Sequence, residues 1–214
     1  MLIYSLLQMK HEDKYLKICN GLKRLIKKTG EPLEGNCMYH HLSLKPWDCL
    51  LNKRKNYQKI ATNKNKICEI GFNAGHSLLT MLLVNPDAKY VLFDLGSHKY
   101  SKPCFEYLKT KFPNTKMDIV WGDSRVTLLN YHLSKPKTKF DVIHIDGGHA
   151  YEVYSKDWKH SLQMIQKGGI LIFDDTDNSR ISSFIDKQIK RGVVKEADGY
   201  LETFGYKHRI LIKI

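Results

Sequence analysis

The chain has 214 residues, 42% of them hydrophobic, which suits one domain with a sizeable core and leaves room for a short appendage. No apolar run approaches the roughly 20 residues that span a bilayer. The opening MLIYSLLQMK lacks the basic start and small-residue cleavage site of a signal peptide, so no membrane partner is expected. The formal net charge is +13, most of it in the first 66 residues, which raises the prospect of an anionic partner such as nucleic acid. The lysines are scattered (KRLIKK, NKRKNYQK, NKNK, KPKTK), however, and read more simply as a solvated surface. Five cysteines, an odd number without a Cys-x-x-Cys pair, argue against a disulfide framework or a zinc site and for a reducing, cytoplasmic setting.

In chain order, KYLKICNGLKRLIKKTG has helical spacing and ends at Gly30. A loop rich in Pro, Asn and His follows, and PWDCLLNKRKNYQKIAT reads as a second helix. Residues 1–60 are expected to form a helical appendage or lid, and 61–214 the main domain. From Ile67 onward, apolar runs alternate with amphipathic segments: strands at 67–71, 90–95, 117–122, 140–146 and 169–175, with helices at 76–84, 102–112, 124–133, 151–167 and 179–192. Gly168 and Gly169 are expected to close the fourth of these helices. Two closing strands with a short connection around Phe204–Gly205 suit an antiparallel pair. The pattern predicts an α/β fold: a seven-stranded, mostly parallel, doubly wound Rossmann-like sheet covered on both faces, with an antiparallel C-terminal strand.

Two stretches carry chemistry. EIGFNAGHS (69–77) joins the first strand to a helix start; Gly71 and Gly75 let the backbone approach a ligand, and the helix start presents free N–H groups. Asp94 follows at the end of the second strand, where a carboxylate can accept both hydroxyls of a ribose. HIDGGHAYE (144–152) ends a buried strand in Asp146, two glycines and His149. Asp146, Asp174 and Asp175 lie at neighbouring strand ends; three carboxylates there repel one another unless a cation joins them, and Mg²⁺ prefers such oxygen ligands. Helix capping by Asp174 or Asp175, and a turn role for His149, remain open readings. Tyr151 and Trp158, seven apart, read as core, and Lys156 and Asp157 as solvent-facing. His40, His41, Tyr39 and Trp47 could line a pocket or sit in a polar loop.

The run from Glu69 to Ser77 resembles the first motif of class I S-adenosylmethionine-dependent methyltransferases, over about residues 60–214. The pairing of Ile145–Glu152 with Gly168–Asp175 is similar to the O-methyltransferase-like branch called methyltransferase domain 24. The resemblance implies S-adenosylmethionine as cofactor. Glu69, Gly71 and Gly75 would then hold its methionine part, and Phe72, Asn73, His76, Ser77 and Asp146 would also bind the cofactor. Asp94 and Leu95 would lie at the ribose, and Gly122, Asp123 and Ser124 at the adenine. It further implies Asp146 and His149 as catalytic groups, His149 as the base, and Asp146, Asp174 and Asp175 as ligands of a divalent metal such as Mg²⁺. The expected reaction is metal-assisted O-methylation of a small hydroxylated molecule, with a homodimer possible. Methylation of an RNA cap or ribose is the alternative, although the lysine partners of a Lys-Asp-Lys-Glu set are not apparent around Asp146. A non-catalytic, cofactor-binding regulatory protein is the third reading.

Overall fold

A computed structural model of the chain describes residues 2–40 and 44–214, with side chains from residue 13 onward. Helix α1 (Leu2–Thr29) ends at Gly30, whose φ of +73° is the left-handed conformation that terminates helices. A short 3₁₀ turn (Asp48–Leu50) leads into α2 (Leu51–Ala61). Then β1 (Lys66–Ile70), α3 (His76–Leu82), β2 (Lys89–Asp94), α4 (Ser101–Lys111), β3 (Met117–Trp121) and α5 (Ser124–Ser134) alternate. They are followed by β4 (Phe140–Ile145), α6 (Tyr151–Met164), β5 (Ile165–Phe173), α7 (Ser179–Lys190), β6 (Val194–Glu196) and β7 (Arg209–Lys213).

The strands order as β3-β2-β1-β4-β5-β7-β6, which is the expected doubly wound, Rossmann-like sheet. β1 to β5 run parallel, and β7 runs antiparallel to both β5 and β6. Central strands such as FDVIHI are mostly apolar and buried on both sides because both sides are covered. Ile67, Tyr90, Leu92, Val142 and Ile172 face one layer; Cys68, Val91, Phe93, Ile143 and Leu171 face the other. The first layer is continuous with Tyr15, Ile18, Leu22 and Ile26 of α1 and Tyr57 and Ile60 of α2, so the N-terminal helices share the core of the main domain. No helix among the described residues is long and apolar enough to cross a membrane.

Two boundaries depart from the sequence expectation. The α6 pattern stops at Met164, and Gly168, with φ +73°, lies inside β5, where the register against β4 shifts between Phe140 and Val142. The glycines therefore accommodate an irregular strand instead of capping a helix. The antiparallel β6–β7 pair forms as expected, but twelve residues, 197–208, connect it, so it is no tight hairpin.

Candidate active site

The strand order reverses between β1 and β4, and a crevice opens at their carboxyl ends. The register places Ile70 opposite Ile145, so Gly71 and Asp146 are neighbours at that edge. Gly71 has φ +94° and donates its N–H to the Phe93 carbonyl (2.8 Å); Gly75, at φ +79°, precedes α3. Asp94 holds the intervening turn: Oδ2 accepts from the Asn73 amide (2.7 Å) and Oδ1 from the Gly96 amide (2.7 Å). A carboxylate has about four lone-pair positions, so the same acid can still accept from a ligand hydroxyl. The Asn73 side chain donates to the carbonyls of Glu34 and Gly35, the latter at 3.0 Å. Residues 34–37 thereby lie along a cavity of about 660 Å³ also lined by Gly71, Asp94, Asp123, Asp146 and His149. That volume suits a cofactor-sized ligand.

At the far end, Asp123 caps α5 through the Arg125 amide (2.9 Å) and pairs with the Arg125 guanidinium at 2.6 Å, which holds its carboxyl below the usual range. Ser124 lines the cavity beside it, and Leu95 is exposed at the rim. Gly122 forms a turn (φ +128°) that bonds back to the Asp94 carbonyl at 2.8 Å. Two first-motif side chains pack into the protein: the buried Phe72 ring lies edge-on against Phe105 and Trp121, leaving its backbone to reach the cavity. Glu69 is fully buried beneath the loop and is not a lining residue; it accepts from Ser77 and pairs with His144 Nδ1 (3.0 Å). Its expected place against the methionine part is thus replaced by a supporting one. His76 lines the cavity, and burial pulls its pKa down to about 4, so it is neutral there.

The floor of the cavity is a buried charge network that the sequence only half disclosed. Lys53 Nζ sits 2.6 Å from Asp174 Oδ1 and donates to the Tyr206 carbonyl at 3.1 Å. Tyr57 donates to Asp174 Oδ2 at 2.8 Å, and His144 Nε2 approaches the same oxygen at 3.3 Å. Burial alone would raise the Asp174 pKa, but Lys53 and His144 hold it well below the carboxylate range. Asp146, part-buried beside them, is pushed well above that range, first by desolvation and then by Asp174. Burial opposes charge on His144, yet hydrogen bonds to Asp174 and Glu69 outweigh it and raise its pKa to about 10. That value exceeds the roughly 6.5 of an unfolded histidine, so the stabilisation is complete below pH 6.5 and is lost as pH climbs through 10. Thermal stability is therefore expected to decline between pH 7 and 10, at about 1.4 kcal/mol per unit of displacement, and His144→Gln should flatten that slope.

His144, Asp146 and Asp174 each offer an atom within 4.8 Å of the others, which makes this the cluster to test for a metal. Both His144 nitrogens are committed, and Asp174 is engaged by three donors. A divalent cation would have to enter beside a buried ammonium, and like charges repel strongly there. Asp175, the third expected ligand, has φ +54° and turns to His149, whose Nε2 lies 2.6 Å from Asp175 Oδ2. The residues as placed do not fit Mg²⁺, because the protein already supplies the positive charge.

Sequence reasoning missed Lys53 and Tyr57. Lys53 lies in the run NKRKNYQK, which reads as solvated, yet Lys53 and Arg54 are both buried, Arg54 donating to the Cys37 carbonyl at 2.9 Å. The available signal was the one-turn spacing of Lys53 and Tyr57 on the face of α2 that buries Ile60 and Ala61. Two readings on α6 also change. Tyr151 is 64% exposed and is not core, whereas Trp158 is buried; Asp157 is fully buried, not solvent-facing, and packs under Gly147. The α6 stripe is centred on Tyr154, Asp157, Trp158 and Ser161, which leaves Tyr151 at its edge. In the polar loop, Tyr39 is buried with its ring edge-on to His76, and Trp47 packs edge-on to His40 and Tyr206. His41 lies outside the described residues. All five cysteines are free thiols.

The model of a methyltransferase domain family, number 24 of its kind, matches residues 68–176, just over half of the chain. Among solved structures, an O-methyltransferase from Bacillus cereus in complex with S-adenosylhomocysteine superposes with a TM-score of 0.69 at 14% identity, over 92% of this chain and 90% of that one. The O-methyltransferase TomG from Streptomyces achromogenes, solved with S-adenosylmethionine, gives 0.64 at 14%, covering 92% and 89%. In sequence, a tRNA (guanine-N(7)-)-methyltransferase from Metamycoplasma hominis is 28% identical over 141 residues, 61% of this chain. The match spans 65% of that relative's length.

Proposed function

We propose that this chain, which belongs to the methyltransferase domain 24 family and is an S-adenosylmethionine-dependent methyltransferase, delivers the methyl group to a hydroxyl oxygen of a small acceptor. The observation that carries the reading is the pairing of His149 with Asp175 at 2.6 Å on the wall of the same cavity as the Gly71–Gly75 loop. Asp175 accepts from His149 Nε2–H, which leaves Nδ1 to take the acceptor's proton, the arrangement of an oriented general base. Bound in this cavity, S-adenosylmethionine would supply the electrophilic methyl group, and the chain's own part would be to orient the acceptor oxygen and take its proton. The Gly71–Gly75 loop and Asp94 would hold the cofactor, and residues 34–37 line the cavity beside them.

Calorimetric titration of S-adenosylmethionine tests the cofactor site. Micromolar binding is expected, and Asp94→Ala should weaken it more than tenfold, because the acid holds the turn at Asn73 and keeps lone pairs with which to accept from a ligand hydroxyl. Unchanged affinity in Asp94→Ala would remove the assigned contact.

Methylation of RNA is the second reading, favoured by the similarity to a tRNA methyltransferase and the charge of +13. Binding of RNA oligomers that weakens steeply between 50 and 200 mM salt, on the order of a thousandfold, would support it over the small-molecule reading.

A further inference from the structure

Lys53 enters the acid cluster from α2, outside the strand ends that carry the acids. Its side chain is 6% exposed and that of Asp174 1%, so the pair is almost free of solvent. An ammonium has three N–H donors. Two are committed, to Asp174 Oδ1 and to the Tyr206 carbonyl, and among the described residues the third has no partner. Lys53 also lines the cavity, together with Asp146, His149 and Asp175. A buried, incompletely bonded donor facing a ligand cavity invites an acceptor atom from that ligand.

We propose that Lys53 is the resident cation of this site: its ammonium holds the place a divalent metal would take among these acids and gives its remaining N–H to the oxygen that receives the methyl group. The assignment rests on the methyltransferase reading. It gives the ammonium two tasks. Bound to Asp174, it neutralises an acid that would otherwise repel an oxygen gaining negative charge as its proton leaves. Bonded to that oxygen, it stabilises the developing charge in a place where water is excluded, which is where one such donor is worth most. The base, His149, lies on the same cavity wall and takes the proton. Tyr57, one turn along α2, bonds the other Asp174 oxygen and keeps the carboxylate oriented toward Lys53.

Mn²⁺ alone is the probe, followed by electron paramagnetic resonance of the free ion, on the full chain saturated with S-adenosylhomocysteine. The wild type should leave Mn²⁺ free at 1:1 ratios in the hundred-micromolar range, and its turnover should be unchanged by chelator. Lys53→Met should bind Mn²⁺ at least tenfold more tightly than the wild type, because the acids lose their cation, and its kcat should fall by about a hundredfold or more. Lys53→Arg should exclude Mn²⁺ as the wild type does. Should Lys53→Met fail to fold by circular dichroism, the wild-type and Lys53→Arg titrations decide. Stoichiometric, micromolar Mn²⁺ binding by the wild type would overturn the proposal, as would a Lys53→Met enzyme with wild-type kcat. Failure of the wild type to bind S-adenosylmethionine in calorimetry would instead strike the methyltransferase reading, and the same Mn²⁺ titrations run without S-adenosylhomocysteine would still test the cation assignment.

Discussion

Alanine at Gly71 is expected to abolish measurable cofactor binding and to destabilise the chain by about 4 kcal/mol or more. A Cβ there would lie 1.9 Å from the Asp146 carbonyl oxygen, 2.6 Å from its carbon and 3.2 Å from the Gly147 nitrogen. All three are backbone atoms, so no side chain can swing aside; β1 and β4 would have to part at the edge that lines the proposed cofactor cavity. The φ of +94° adds strain for any residue with a side chain. Gly168 is the control: its φ is also positive, +73°, but nothing lies within 4 Å of an added Cβ. Gly168→Ala should therefore cost only the backbone term, about 1–2 kcal/mol, and leave binding intact. Urea denaturation with calorimetry on both variants separates the two effects. If Gly71→Ala bound S-adenosylmethionine as the wild type does, the cofactor would have to sit elsewhere than in the β1–β4 crevice.

The same contrast explains what could be read before the structure. Buried parallel strands betray themselves by continuous apolar runs, and strand ends by a glycine or an acid where the run stops; Gly71, Asp94, Asp146 and Asp174 all fall at such ends. Topology then brings them together without further information, since strands β2, β1, β4 and β5 are neighbours. Glu69 and Lys53 show where that reasoning stops. Alternation puts Glu69 on one face of β1 but does not say that the loop after Ile70 closes over that face, so Glu69 lies under the loop instead of in the cavity. Composition does not distinguish a lysine that covers a helix surface from one that crosses the core to meet an acid 121 positions later. Lys53 becomes visible only when α2 is docked on the sheet, because its burial is compensated by Asp174 and by nothing near it in sequence. The β5 boundary failed for a related reason: a glycine with positive φ terminates a helix or relieves a strand irregularity equally well, and only pairing with β4 decides.

His149→Ala is expected to lower kcat by between about 10² and 10⁴, the range a positioned base contributes, with S-adenosylmethionine affinity within a few-fold of wild type. The pH profile makes the assignment specific. The hydrogen bond to Asp175 is the main cause that raises the His149 pKa, and the nearby charge of Asp175 adds to it. A base must be neutral to accept a proton, so activity should rise with pH through a value shifted upward from that of a free histidine. Asp175→Asn removes the charge and weakens the hydrogen bond, so the rising limb should move to lower pH. The plateau rate should drop as well, because the imidazole loses the group that orients it. A merely structural His149–Asp175 pair predicts something else: lower stability in both variants and an unmoved limb in whatever activity remains. Because His149 is 58% exposed and the pair stands at the cavity mouth, loss of the pair itself should cost little folding free energy, so the kinetic signature can be read on a folded enzyme.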